Sequence, residues 1–284
     1  MRARLWGVRG SVPVPGPATE RFGGNTSCVQ VTASDGSEIF LDAGTGIREL
    51  GAATAGCGRR FHVLLTHLHL DHIQGLMFFS PFFDPEAEIT VWGPPAAGRA
   101  LRKRLARYIS TPLSPIEIAE LPARVTFRDV PTDPWSIGAV ELRAALVSHR
   151  GPTLGYRLSD DETSLCYLPD HEPALGQDLA RDQAGWISGH GLARGASLLI
   201  HDCQYAEGEY AAHRGWGHSS LPDALAFAHR CDVRRLLLVH HDPWHDDTCL
   251  EALGREASDR WAQLGGEGPV ELGREGDVLD LAAP

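Results

Sequence analysis

The sequence has six cysteines among 284 residues (Cys28, Cys57, Cys166, Cys203, Cys231 and Cys249), with no Cys-x-x-Cys pair and no regular spacing between them. That pattern points to a reduced protein whose cysteines serve as small buried hydrophobes. No apolar run approaches the roughly 18 residues needed to cross a bilayer, so no membrane partner is expected. The opening Met1-Arg-Ala-Arg-Leu-Trp6 has no apolar core of a secretory signal, and a cytoplasmic location is the expectation. There is no internal repeat, low-complexity tract or long polar linker, which reads as one domain over residues 1–284. A Gly-x-Ser-x-Gly nucleophile elbow is missing. The Gly-rich stretch Asp42-Ala-Gly-Thr-Gly46 has no lysine to make it a phosphate cradle, and it reads as a tight turn after a strand. Positive charge is also short: 26 Lys plus Arg face 37 Asp plus Glu, a formal net charge of −11. Such a field repels polyanions, so a large nucleic acid is not the expected partner unless a local basic patch overcomes it.

What the chain has in quantity is apolar sequence, at 43% of residues, and histidine, at fourteen. Short apolar runs recur, each stopped by a turn. They are Glu38–Leu41, Phe61–Leu65, Ile89–Trp92, Val140–Val147, Ser164–Leu168, Ser197–Ile200 and Arg235–Val239. Runs this short between breakers predict buried strands. Helices are expected between them at Gly46–Ala53, Gly98–Ile109, Pro173–Ile187, Leu221–Cys231 and Cys249–Leu264. Strands mixed with helices imply an α/β layered fold. Most of these strand ends carry His or Asp, so the chemistry is expected along one edge of the sheets.

The densest group is Thr66-His-Leu-His-Leu-Asp-His72, directly after the second run. His67 and His69 stand two residues apart at a strand exit and can fall on one side of the chain. Asp71 and His72 add a carboxylate and a third imidazole. Imidazole and carboxylate together suit Zn²⁺, with Mn²⁺ or Fe²⁺ also accommodated. One tetrahedral ion rarely takes four ligands so close in sequence, so two divalent ions with further ligands from distant strands fit better.

With its neighbouring blocks this segment resembles the metallo-β-lactamase-fold hydrolases, within them the branch of ribonuclease Z and small phosphodiesterases. The blocks are Gly7–Pro13 with Asn25–Cys28, Leu41–Gly46, Thr66–His72, Ser148-His149, Tyr167–Asp170, Leu199–Asp202, Gly217-His218-Ser219 and Leu237–His240. The resemblance implies a four-layer αββα sandwich of two mixed sheets flanked by helices. It also implies that His67, His69 and His149 hold one ion, that Asp71, His72 and His240 hold the other, and that Asp170 bridges them. His240 is chosen over His241 because it directly ends its apolar run, and Asp170 over His171 because a carboxylate is the better bridge.

Two ions so placed would make a bridging hydroxide the nucleophile. Asp71 would orient it, and His201, with Asp202 adjacent, is the expected general acid. His218 is expected to orient His201 or to touch substrate. The function so implied is a metal-dependent phosphodiesterase on a small nucleotide-like diester, cyclic or linear. The other reading of the same metal core is a carboxylic ester, lactone or thioester hydrolase. The cluster Arg99, Arg102, Lys103, Arg104 and Arg107 reads as the solvated face of an amphipathic helix, with guidance of a phosphate as its other use. Met77–Asp84 reads as aromatic core, with a pocket wall or homodimer contact as its other use. Trp216 and Trp244 read as packing residues, with stacking on a base or aromatic ester as theirs.

Overall fold

The computed structural model describes residues 1–54 and 60–282; Cys57 lies outside them. Fourteen strands fall into two seven-stranded sheets. The N-terminal sheet is built from β1 (Arg2–Gly7), β2 (Cys28–Thr32), β3 (Glu38–Leu41), β4 (Arg60–Leu64), β5 (Glu88–Gly93), β6 (Arg124–Asp129) and, from the far end of the chain, β14 (Val278–Asp280). The other holds β7 (Trp135–Ile137), β8 (Val140–Leu146), β9 (Leu154–Ser159), β10 (Ser164–Leu168), β11 (Leu198–Asp202), β12 (Leu236–Val239) and β13 (Val270–Leu272). The orders are β14-β1-β2-β3-β4-β5-β6 and β13-β12-β11-β10-β9-β8-β7. Each sheet is mixed. Parallel pairing runs through β3-β4-β5-β6 in one and β10-β11-β12-β13 in the other, with antiparallel pairing in the rest.

Alternation along the strands sorts the core into three apolar slabs. Leu198 and Ile200 of β11 face Leu5, Val31, Ile39 and Leu41 between the sheets. Leu199, one residue out of phase, packs with Leu225, Phe227 and Leu253 of the helices outside. Those helices are α6 (Leu221–Arg230) and α7 (Asp247–Gln263), capped by the side chains of Ser220 and Asp246. On the other outer face Phe40, Phe61 and Val63 pack against Leu50 of α1 (Ile47–Ala53) and against Leu101 and Leu105 of α3 (Leu101–Leu105). Helix, sheet, sheet, helix is the expected four-layer order.

Two helices differ from expectation. Pro173–Ile187 forms turns, with one 3₁₀ turn at Ala184–Trp186. Asp178 Oδ1 accepts from the backbone of Ala180 and Arg181, offering the chain a local alternative to helix, and Gly176 takes a left-handed φ of 72°. Gly98–Ile109 is helical only over Leu101–Leu105 and continues as turns. The short helices α2 (Leu70–Ile73), α4 (His190–Ala193) and α5 (Glu207–His213) complete the set. Met77, Phe79 and Phe82 enter the core as expected, while Phe78 and Phe83 stay exposed. Cys28, Cys166, Cys203 and Cys231 are buried free thiols, and no helix among the described residues is long and apolar enough to cross a membrane.

Candidate metal centre

The ends of β4, β8, β10 and β12 meet at one edge of the sandwich, and the side chains that follow them converge. Ligand atoms of His67, His69, His149 and Asp170 lie within 4.8 Å of one another, and so do those of Asp71, His72, Asp170 and His240. Asp170 belongs to both groups and divides its oxygens between them. Its Oδ2 is 3.7 Å from His67 Nε2 and 3.6 Å from His149 Nε2. Its Oδ1 is 3.0 Å from His72 Nε2 and 3.4 Å from His240 Nε2. His69 contributes Nδ1, 3.3 Å from His149 Nε2.

Four of the imidazoles are held from behind through Nδ1. His72 Nδ1 meets Asp42 Oδ2 at 2.8 Å, and His149 Nδ1 meets the Gly217 carbonyl at 2.7 Å. His240 Nδ1 meets Gln204 Oε1 at 3.1 Å, and His67 Nδ1 meets Thr66 Oγ1 at 3.0 Å. A ring that donates through Nδ1 has its lone pair on Nε2, and this is how proteins present histidine to a cation. The chain also strains to seat His240, whose φ of 62° lies in the left-handed region, with its ring flat against Gly10. A Cβ on Gly10 would stand 2.4 Å from His240 Nδ1.

A cation fits what these residues leave unmet. Among the described residues His67 Nε2, His72 Nε2 and Asp170 Oδ1 are buried without a hydrogen-bond partner, although both nitrogens lie within ion-pair distance of the Asp170 carboxylate. Buried polar atoms left unpaired are costly, and three aimed at one another are what a metal would satisfy. Charge states agree at the two carboxylates and at His67, His69 and His149, whereas His72, which burial would lower, is pushed up instead by Asp170, Asp71 and Asp42. Burial would raise Asp71, but His72 and His240 hold its carboxylate well below the usual range. Burial opposes Asp170 in the same way, and His240, His72 and His67 outweigh it. Burial, reinforced by neighbouring imidazoles, pushes His67 and His69 down toward the neutral form that ligates; burial does the same to His149.

Both adjacent-residue choices made from sequence fall on the inward-facing residue. His171 turns away to His201 and Ser188, and His241 turns away to the Gly273 carbonyl. His201 requires a correction. It is fully buried, stacked on Phe227 at 4.9 Å, with Nε2 against His171 Nδ1 at 3.0 Å and Nδ1 against the Asp202 carbonyl at 2.7 Å. Burial lowers its pKa to about 4. Neither nitrogen is free to reach a substrate. Strand alternation accounts for this: in β11 His201 faces the helices, while Asp202 faces the inter-sheet side.

Asp202 pairs instead with His218. The Asp202 Oδ2 to His218 Nδ1 distance is 2.7 Å, leaving His218 Nε2 with no hydrogen-bond partner among the described residues. The His218 ring lies 4.7 Å from His240 and 4.9 Å from His149. Burial lowers His218 and raises Asp202, so their hydrogen bond is between a near-neutral ring and a carboxyl that holds protons more tightly than usual. Three residues escaped the sequence reading. Asp42, read there as part of a turn, braces His72. Gln204 orients His240, and its Nε2 is itself fixed on Asp242 Oδ2 at 3.1 Å. Glu172, buried, holds the backbone N–H groups of Gly215 and Gly217 at 2.7 and 2.8 Å. Position one residue past a strand end was the available signal for Asp42; Gln204 and Glu172 left none.

Among known proteins, the chain is 27% identical to a ribonuclease Z of Kineococcus radiotolerans over 284 aligned positions, covering 87% of each sequence. The Zn²⁺-bound PqqB of Methylobacterium extorquens superposes with a TM-score of 0.71 at 16% identity, over 99% of this chain and 100% of that one. The short form of human tRNase Z superposes with a TM-score of 0.68 at 20% identity, over 99% of both. These structures share the metallo-β-lactamase fold seen here as two mixed sheets between helical layers. The family model of the beta-lactamase superfamily domain matches residues 38–241, well over half of the chain, and the protein belongs to that family.

Proposed function

We propose that the protein is a binuclear metal-dependent phosphodiesterase acting on nucleotide-like diesters. The observation that carries this is Asp170, whose two oxygens face two separate histidine groups with orphaned nitrogens. His67, His69 and His149 would hold one ion and Asp71, His72 and His240 the other, with Asp170 between them. Zn²⁺ matches the nitrogen and oxygen donors best. Two such ions supply Lewis acidity at the phosphoryl oxygens and activate water near neutral pH.

The chain's own groups do the rest. Asp71 Oδ2 accepts from the Ser11 backbone N–H at 2.9 Å, which fixes the carboxylate that would orient the attacking water. With the proton of the pair on the Asp202 carboxyl, His218 Nδ1 accepts it and Nε2–H faces outward, so that Nε2 would protonate the departing alkoxide as Nδ1 takes the Asp202 proton. Acid catalysis thus passes from His201 to His218. The ribonuclease name carried by curated relatives of matching length supports phosphodiesters over carboxylic esters. It also reopens RNA as a substrate against the acidic net charge.

Metal-loaded protein assayed on bis-p-nitrophenyl phosphate, a p-nitrophenyl ester, a lactone and a short RNA tests the reading. Turnover of the diester or the RNA well above the ester and lactone is expected. The reverse order would overturn the phosphodiester assignment in favour of an ester or lactone hydrolase.

A further inference from the structure

We infer that Arg150 and Trp216 form a nucleotide clamp at the mouth of the metal centre, the guanidinium taking phosphate and the indole stacking on the base. The inference rests on the phosphodiester reading above and names the part of the substrate that reading leaves open.

The centre opens on one side. Of its seven residues only His69 is exposed; His149, its neighbour, is partly so through its backbone while its side chain is buried, and the Asp71, His72, Asp170 and His240 group is buried. On that side a single loop carries both His149 and Arg150. The Gly217 carbonyl takes His149 Nδ1, and the Gly215 carbonyl takes Arg150 Nε at 3.0 Å. Trp216 stands between those two glycines. Gly215 and Gly217 have φ of 82° and 98°, and a Cβ on Gly217 would stand 2.3 Å from His149 Nδ1. Glu172 clamps the loop from beneath, accepting both glycine N–H groups and the Tyr210 hydroxyl. Arg150 and Trp216 are therefore placed by the same rigid backbone that places a ligand-bearing histidine.

Neither side chain is used up by the fold. Nε spends one donor of Arg150, and its terminal nitrogens have no hydrogen-bond or ion-pair partner among the described residues. Some arginines of this acidic chain find carboxylates, as Arg124 finds Glu88, Arg235 finds Glu271 and Arg260 finds Glu207 and Glu256, and Arg150 is not among them. Trp216 is 53% exposed and touches His213 edge-on at 4.9 Å, which leaves a face of the indole open. An exposed indole on a fixed loop is not packing. A forked guanidinium matches phosphate oxygens two at a time, and an indole face stacks on any base. An alkyl ester or a lactone offers neither a phosphate nor an aromatic face to them.

Three substrates with the same leaving group separate the roles: thymidine 5′-(p-nitrophenyl phosphate), methyl p-nitrophenyl phosphate and p-nitrophenyl acetate, each with metal-loaded enzyme. W216A should cut the nucleoside-over-methyl ratio of kcat/KM about tenfold, chiefly through KM, and W216F should restore most of it. R150Q should cut the diester-over-acetate ratio by about tenfold or more, as expected for losing a charge-assisted phosphate contact. Inhibition by thymidine 5′-monophosphate should weaken in both variants while metal content stays at the wild-type level. Unmoved ratios in the variants of an enzyme that does hydrolyse diesters would overturn the clamp alone. Equal loss on acetate and diesters in R150Q, with metal lost, would show Arg150 to be only a brace for the loop. Wild-type turnover of acetate and of neither diester would overturn the phosphodiester reading beneath it.

Discussion

Asp42 Oδ2 lies 2.8 Å from His72 Nδ1, and the same fully buried carboxylate accepts from the Thr66 backbone, the Thr66 hydroxyl and the Tyr167 hydroxyl. Thr66 in turn takes His67 Nδ1, so one residue steadies an imidazole of each half-centre. Asp42 reaches this post through a left-handed φ of 61° just past the end of β3.

Replacing Asp42 therefore acts on metal affinity without touching a proposed ligand. Asp42→Asn keeps the shape and tolerates the left-handed backbone, but it loses acceptor capacity for the donors around it. Affinity for divalent metal should fall about 10- to 100-fold. Competition with a chromophoric chelator measures this, and unchanged affinity would show that the brace is dispensable.

His201 and His218 should behave as opposites. His218→Ala should lower kcat by a factor of about 10² to 10⁴ on diesters with poor leaving groups, and much less on p-nitrophenyl esters, whose leaving group needs no proton. His201→Leu should leave kcat within about twofold while lowering stability by about 1–3 kcal/mol, the usual cost of disturbing a buried hydrogen-bonded pair. Kinetics beside denaturant titration separates the two, and a His201 variant that folds but cannot turn over would return acid catalysis to that residue.

Stability should fall on the acid side, with a part assignable to His201. Burial lowers its pKa from the usual 6.5 to about 4 in the folded protein. Between those values the unfolded chain binds the extra proton, so the free energy of unfolding rises with pH across that window. The stabilisation is complete above about pH 6.5 and lost as pH falls toward 4, amounting to on the order of 3 kcal/mol. Burial also lowers His241, to about 3, and His171 well below its usual range, which adds to the same slope. Urea titrations at pH 7 and pH 5 should show the difference, and it should shrink in His201→Leu. A slope of the opposite sign would mean these histidines carry charge in the folded state.

Much of the fold could be read from the sequence because its central strands are buried on both faces and appear as unbroken apolar runs, as in Ser164–Leu168 and Leu236–Val239. A strand with exposed, charge-bearing positions, such as Arg124–Asp129, escapes that pattern, although Val140–Leu146 is delimited in the sequence to within one residue despite its exposed face. β13 and β14 have three residues each, too few for periodicity. The proposed ligands were legible because His67, His149, Asp170 and His240 fall within three residues of a strand end, and His69, Asp71 and His72 share one dense segment with His67. Their supports were not, because Gln204, Glu172 and the Gly217 carbonyl act across the fold from positions that carry no local pattern. His201 reads as the acid from its place in the matching block, but strand alternation, not applied there, turns it to the helices while Asp202 faces inward.

Removal of metal should cost stability as well as activity. Ions that bind only the folded chain stabilise it by mass action, and the orphaned nitrogens of His67 and His72 are left uncompensated without them. Dialysis against a chelator should lower Tm by several degrees, with recovery on adding Zn²⁺. An unchanged Tm would indicate that the cluster is stable as a polar network alone.

The most direct test of the binuclear centre is elemental analysis of protein purified without chelator. Close to two equivalents of transition metal per chain are expected, falling toward one in His69→Ala and in His240→Ala. Less than one equivalent in the wild-type protein, not restored by added Zn²⁺, would contradict the two-metal account.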